Sequence, residues 1–259
     1  MKTLEAPRFE PKKEKAPEKK ETEAKYNFEA IAELEKPMAN LAEQLKEAID
    51  KGEYDTLISD DAGGRIPTLV FRKVMMERMQ KMHPDLTPEQ EREAMKTFFV
   101  AGGMAELNRG ALKKFFNKTA PKIKKALLVT EFMESGKSIR RLGDLLEGSK
   151  IDFSIAAAQI GHYRHNYQGG VYDRHRFYIG DERTRVPLIY PLRRNVGGVI
   201  KLGQSKEAHP KIYSETDVVT HGGVSEMVDF NRKIVIQARQ DVDLMAKRIL
   251  EKVWGNKDN

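Results

Sequence analysis

The chain has 259 residues and a formal net charge of +7, enough length for one sizeable hydrophobic core and a basic excess that favours anionic partners, whether phosphate ligands or nucleic acid. It contains no cysteine, which excludes disulfides and thiolate metal sites. No apolar run approaches the roughly 18 residues of a membrane helix, and the charged opening residues do not resemble a signal peptide, so we expect a cytoplasmic protein without membrane contact.

The first 52 residues divide into a charged tail and a helical segment. Residues 1–25 mix Lys, Glu and Pro with almost no apolar side chains. They cannot bury enough surface to offset the entropy of ordering, so we expect a disordered tail. Over residues 26–52 the apolar side chains recur at spacings of three and four, which predicts helix. Pro37 indicates a fresh helix start within this segment.

Residues 53–214 show strands alternating with helices, which is typical of an α/β domain. Short apolar runs predict strands at Thr56–Ser59, Thr97–Gly103, Lys125–Met133 and Ile151–Ile160. Helical patterns begin near Pro67, after the N-cap Thr87, within Met104–Lys125 and at Lys137. Alternation at this spacing predicts a doubly wound, mostly parallel sheet with helices on both faces. Such sheets bind ligands at the carboxyl ends of their strands.

Residues 161–194 depart from this pattern. The region holds seven arginines, no lysine and five tyrosines. We interpret it as an irregular hood over an acceptor molecule, where Tyr or Arg could stack on a planar base, with "RVPLIYPL" as one further strand. The same Arg and Tyr mixture would also suit RNA or single-stranded DNA, or a structural arginine network at a subunit interface. The region contains three histidines, His162, His165 and His175, whose spacing matches no standard zinc site.

Residues 215–259 are predicted to form a helical extension. From Val224 to Trp254 the apolar residues recur at helical spacing. We expect a long helix, broken at most once, that packs on the main domain or on a second copy of the chain. The second arrangement would make the protein a homodimer.

The stretch "VTEFMESGKS", residues 129–138, ends in the letters of a nucleoside triphosphate loop. That motif needs a glycine five residues before Gly136, where this sequence has Glu131. Because a carboxylate at that position opposes a phosphate, we set the triphosphate-loop interpretation aside. An ordinary strand-to-helix turn with Ser135 as the N-cap remains the plain alternative.

The same stretch suits a ribose 5-phosphate instead. Backbone N–H groups at a helix N-terminus, assisted by serine hydroxyls, can surround a phosphate monoester because the orphan donors and the helix dipole favour an anion. The loop that would supply them consists of Glu134, Ser135, Gly136, Lys137 and Ser138. Glu131, near the expected end of the strand, would accept hydrogen bonds from ribose hydroxyls.

In this arrangement the sequence resembles the type I phosphoribosyltransferases. Their phosphoribosyl diphosphate (PRPP) motif has four apolar residues, two acids, two apolar residues and a loop of the D-T-G-K-T type. Ala126–Val129 match the strand, Glu131 matches the second acid, and residues 134–138 match the phosphate loop. Thr130 stands where the first acid belongs, and Glu134 replaces the aspartate of the loop.

An upstream loop extends the resemblance. After the first strand, "SDDAGGRIP" is similar to the family's diphosphate-binding loop, a turn of small residues with a basic side chain that leads into a helix. Glycines there let backbone N–H groups approach a diphosphate. The ligand-binding residues would be Asp61, Ala62, Gly63 and Gly64, joined by the planar fork of Arg65. Asp60 and Asp61 could instead be a metal pair, although adjacent acids in a turn more often satisfy local N–H groups.

The resemblance implies a transferase that uses PRPP and Mg²⁺, the ion being bound mainly through the diphosphate. In the family, a nitrogenous acceptor displaces pyrophosphate from the anomeric carbon through a transition state with oxocarbenium character. Carried over, Glu131 and Arg65 would be the catalytic groups, while Thr130 and residues 134–138 would bind ribose 5-phosphate. A basic residue from Met104–Lys118 would close over the diphosphate.

A non-catalytic protein on the same fold is the alternative. It would sense PRPP or a nucleotide, or act as a scaffold. Thr130 favours this alternative, because a lost carboxylate weakens the hold on ribose and the electrostatic help to a cationic transition state. Nucleic-acid binding by the basic surface is compatible with either function.

Overall fold

The computed structural model describes residues 24–60, 64–100, 109–161, 169–183 and 232–255. Within them, five parallel strands form one sheet that is flanked by helices. The predicted α/β fold with a parallel sheet is therefore confirmed. The residues of the expected tail before Ala24, most of the diphosphate loop, much of the hood-like region and the start of the C-terminal extension lie outside the described residues.

The strand order in the sheet is β2-β1-β3-β4-β5. The helices and strands in chain order are α1 Glu29–Ala32, α2 Glu35–Asp50, β1 Thr56–Asp60, α3 Arg65–Met82, α4 Pro88–Ala94, β2 Lys96–Val100, α5 Arg109–Thr119, β3 Ala126–Met133, α6 Lys137–Gly148, β4 Phe153–Gly161, α7 Val171–Arg174, β5 Phe177–Arg183 and α8 Arg232–Trp254. A single 3₁₀ turn, Ala120–Lys122, follows α5.

Two helix starts show why local sequence predicts these elements well. Pro37 lies in the first turn of α2, where its missing N–H would have no intrahelical partner. Thr87 caps α4 as expected: its hydroxyl accepts from the N–H of Gln90, and the Gln90 side chain accepts from the N–H of Thr87 at 2.8 Å. This reciprocal pair satisfies two donors that the helix itself leaves open.

Two strands differ from the prediction. The buried strand expected at Thr97–Gly103 is β2, which ends at Val100, pairs with β1 alone among the described strands, and has just one fully buried residue. Phe177–Arg183, which we interpreted as irregular, is the fifth strand and pairs in parallel with β4. Within the described sheet both are edge strands of mixed polarity, without the continuous apolar run of a central parallel strand.

The two faces of the sheet carry separate hydrophobic cores. On one face, α1, α2, α3 and α8 cover Leu127 and Val129 of β3. On the other face, α5, α6 and α7 cover Leu128 of β3 and Ile155 of β4. The side chains of a strand alternate between faces, so β3 and β4 contribute to both cores and are apolar along most of their length.

The C-terminal helix α8 packs on the chain's own domain, one of the two arrangements that the sequence left open. Its buried Asp241 accepts hydrogen bonds from the backbone N–H groups of Asn27 and Phe28, each at 2.8 Å. At the other end of α8, the Trp254 indole donates to Asp50 at 2.9 Å. Among the described helices, none combines the length and hydropathy that a membrane span requires.

Candidate functional site

The two strands that the sequence motifs follow, β1 and β3, lie where the winding of the sheet reverses direction. β1 pairs in parallel with β2 on one side and with β3 on the other. The chain leaves β1 through α3, which packs on one face, and leaves β3 through α6, which packs on the opposite face. Ligands of open parallel sheets bind outside the carboxyl ends of such a strand pair. The two predicted loops, residues 61–64 and 134–138, follow these two strands.

Gly136 shapes the start of α6. It is the N-cap residue and has left-handed backbone angles, φ 66° and ψ 1°, which glycine adopts without steric cost. The N-cap is this glycine, which has no side chain, so the alternative in which Ser135 is a plain N-cap is wrong. Glu134, Ser135 and Lys137 are exposed, and Ser138 is half-buried. The loop therefore presents backbone donors and two hydroxyls at a helix N-terminus.

Glu131 and Thr130 lie deeper than expected. β3 continues to Met133, so Glu131 is inside the strand rather than at its end, and it is 0% exposed. Thr130 is 2% exposed. As strand neighbours, the two side chains point to opposite faces of the sheet. The Glu131 carboxylate is enclosed by protein in this structure. The ribose-binding roles of Glu131 and Thr130 remain predictions.

Arg65 lies against the neighbouring strand. It is the first residue of α3, is 4% exposed, and its guanidinium carbon lies 4.3 Å from the ring centroid of Phe99 in β2. Gly64, the N-cap of this helix, is also buried. Asp61, Ala62 and Gly63 lie outside the described residues. The Arg65 guanidinium is held by a cation–π stack at the carboxyl edge of the sheet. Diphosphate binding by this loop stays a prediction.

The basic residues on α5 lie at different distances from the carboxyl edge of the sheet, because the helix runs away from that edge. The helix packs through Leu112 and Phe116, and four cations on it are exposed: Arg109, Lys113, Lys114 and Lys118. Because α5 runs back from the carboxyl edge of β2, Arg109 is nearest to that edge. Lys118 lies roughly 13 Å further along the helix axis. Arg109 is thus the described residue on α5 best placed to approach a diphosphate.

A buried amide near the site was missed from the sequence. Gln159 of β4 is in register with Phe132 of β3 and Asp181 of β5, near the carboxyl ends of all three strands. It is 0% exposed, and neither its Oε1 nor its Nε2 has a hydrogen-bond partner among the described residues. Such burial costs about 1–3 kcal/mol. The signal was a single polar residue in the otherwise apolar run "IAAAQIG".

A tyrosine that contacts the phosphate loop was also missed. The hydroxyl of Tyr172 in α7 donates to the carbonyl oxygen of Gly136 at 2.5 Å, and the side chain is buried. Tyr172 lies in the hood-like region, which we had considered for stacking on a base. No local pattern in the sequence places it against a loop 36 residues earlier in the chain.

His175 has a structural role. Its Nε2 lies 2.8 Å from Glu147 Oε1, its Nδ1 lies 3.1 Å from the Phe153 carbonyl oxygen, and its ring stacks on that of Phe153. Arg174 also bonds Glu147 at 2.7 Å and, with His175, holds the pKa of this carboxyl below its usual value. Within the described residues no three acidic or histidine side chains are grouped to hold a metal.

Comparison with known proteins found no family model that matches this sequence and no curated protein that matches it. The resemblance to phosphoribosyltransferases therefore depends on the motif residues themselves. Their placement on adjacent strands of the sheet is an independent structural observation.

Proposed function

We propose that the protein binds PRPP, or another nucleotide that contains ribose 5-phosphate, and with Mg²⁺ transfers phosphoribosyl to or from a nitrogenous base. One observation carries the proposal: two loops suited to phosphate groups follow adjacent strands, β1 and β3, whose helices leave to opposite faces. The finer fold assignment, a type I phosphoribosyltransferase domain over 53–214 with a hood over 161–194, belongs to the same proposal, as does a cytoplasmic location.

The loop at 134–138 would hold the 5-phosphate. The N-cap of α6 is Gly136, which has no side chain to occupy the backbone N–H groups at the start of the helix, and the helix dipole favours an anion at this position. The hydroxyls of Ser135 and Ser138 would add two donors. Exposed Lys137 would add positive charge near the phosphate.

The loop at 61–64 would hold the diphosphate, with Arg109 of α5 able to approach from the side of β2. Bound to the diphosphate, Mg²⁺ would neutralise charge on the departing pyrophosphate. Glu131, beneath the crevice, would stabilise positive charge developing on the ribose.

A second candidate is a non-catalytic protein that binds PRPP or a nucleotide. The observation that favours it is the burial of both groups assigned to catalysis. Glu131 is 0% and Arg65 4% exposed, so neither can contact a substrate without rearrangement around it. Thr130, in place of the first acid of the motif, points the same way.

Calorimetry with PRPP and Mg²⁺, followed by a screen of bases for pyrophosphate release, distinguishes the two candidates. The proposal predicts both binding and release with at least one base. Binding without release under any base would favour the sensor, and no binding by the wild-type protein would exclude both.

The phosphate loop can be tested separately. Replacing Ser135 and Ser138 together by alanine is expected to weaken ribose 5-phosphate binding by about a hundredfold or more, since two hydrogen bonds to a charged group, each worth about 1.5–3 kcal/mol, are lost. Asn117→Ala, on the exposed side of α5, is the matched control and should bind as the wild type does. Equal affinity of the double variant and the control would exclude the loop as the phosphate site.

A further inference from the structure

Residues 171–175 brace helix α6 along its length. In the middle of the helix, Val171 packs so closely on Gly143 that a Cβ at Gly143 would lie 2.9 Å from Val171 Cγ1. At the far end, Arg174 forms a two-point hydrogen bond with Glu147, at 2.8 and 2.7 Å. The brace thus links α6 to the segment that leads into β5.

At its near end the brace reaches the phosphate loop through Tyr172. The Gly136 carbonyl oxygen accepts from the Tyr172 hydroxyl at 2.5 Å and from the N–H of Arg140, the first intrahelical bond of α6, at 2.9 Å. A peptide group is planar and trans, so fixing this carbonyl also fixes the direction of the N–H of Lys137. That N–H points away from the helix, on the side where an anion would bind.

We propose that Tyr172 is a positioning residue for the phosphate loop. By holding the Gly136–Lys137 peptide plane, its hydroxyl keeps the Lys137 N–H directed at the 5-phosphate of the ligand. The inference depends on the proposed function for the identity of that ligand.

The hydroxyl can be removed without removing the brace. In Tyr172→Phe the ring would keep its contact with Phe177, at 5.4 Å between centroids, and the Arg140 guanidinium 5.6 Å away. The Gly136 carbonyl would still accept from the N–H of Arg140, so no buried acceptor is orphaned. A small stability change combined with weaker phosphate binding is therefore the mark of positioning.

The experiment compares wild type, Tyr172→Phe and Arg174→Ala by calorimetry with ribose 5-phosphate and, separately, with magnesium pyrophosphate. Tyr172→Phe is expected to bind ribose 5-phosphate roughly three- to tenfold more weakly, the effect of one misaligned hydrogen bond. Its affinity for magnesium pyrophosphate should not change, because that ligand uses the other loop. Arg174→Ala, at the far end of α6, should lower the melting temperature and leave ribose 5-phosphate binding unchanged.

Wild-type affinity of Tyr172→Phe for ribose 5-phosphate would overturn the inference. So would equal weakening of both ligands, which is the result of a general structural role. Hydrogen exchange at the Arg140 amide gives a readout without ligand: it should be faster in Tyr172→Phe, while amides in the last turn of α6 keep their rates. If the wild type binds neither ligand, the proposed function fails, and the exchange result alone decides whether Tyr172 orders the loop.

Discussion

Asp55, at the amino edge of the sheet, and Gln159, at its carboxyl edge, differ in how their hydrogen bonds are satisfied. At the amino edge, Asp55 accepts from the backbone N–H groups of Lys124 and Lys125 at 3.0 and 3.2 Å, and lies 3.5 Å from Lys96 Nζ. At the carboxyl edge, the amide of Gln159 has no partner among the described residues, and the N-cap of α6 is Gly136, which has no side chain. Asp55 thus links the start of β1 to β2 and β3, whereas Gln159 is left with hydrogen bonds that a ligand could complete.

The largest expected effect is at the amino edge. Asp55→Ala should lower the free energy of unfolding by about 2–4 kcal/mol, because it leaves two backbone N–H groups and a partly buried lysine without their acceptor. Denaturant unfolding measures this change. Asp85→Ala, an exposed acid in the turn before α4, is the control and should have little effect. Asp55→Ala should still bind ribose 5-phosphate as the wild type does, and a loss of that affinity would break the contrast between the edges.

At the carboxyl edge the expected change in stability has the opposite sign. Gln159→Leu removes an amide that is buried without a partner among the described residues, so the unliganded protein should become more stable by about 1 kcal/mol. If a ligand completes the hydrogen bonds of this amide, the same variant should bind that ligand more weakly. Thermal unfolding with and without PRPP measures both quantities. A destabilised Gln159→Leu would show that the amide stabilises the folded protein, as Asp55 does at the amino edge.

The smallest effect is expected at Glu147, which lies at the end of α6 nearest the amino edge. Arg174, and to a lesser extent His175, lower the pKa of Glu147 below its ordinary value of 4.5. A carboxyl whose folded pKa is depressed stabilises the protein above its unfolded pKa, and this contribution is lost as the pH falls through the folded pKa. The side chain is 27% exposed, so the contribution should stay below about 1 kcal/mol.

Unfolding measured from pH 6 down to pH 3 tests this expectation. Glu147→Gln should lose less stability than the wild type over that range, since it has no proton to gain at this position. Glu43→Gln, on the exposed face of α2, is the matched control. Parallel curves for Glu147→Gln and wild type would mean that the ion pair contributes nothing.

Much of the fold could be predicted because its signals are local. The apolar runs of β3 and β4 and the cap at Thr87 depend on residues that are neighbours in the sequence. The candidate phosphate loop was found in the same way, as a strand, a short polar loop and a helix start. β5 was missed because "FYIGDER" is a strand only when β4 is beside it. The burial of Glu131 was missed because burial depends on which parts of the chain pack around the end of β3, and the local sequence does not show this.

The sequence by itself determined the order of strands and helices, the absence of cysteine chemistry and the composition of two loops suited to phosphate groups. Only the tertiary structure decided that these loops follow adjacent strands, that Glu131 and Arg65 are enclosed, and that Tyr172 bonds Gly136. The physical reason is the distance along the sequence over which each interaction acts. Backbone propensity and capping act over a few residues, whereas strand pairing, burial and a hydrogen bond between distant segments depend on which parts of the chain pack together.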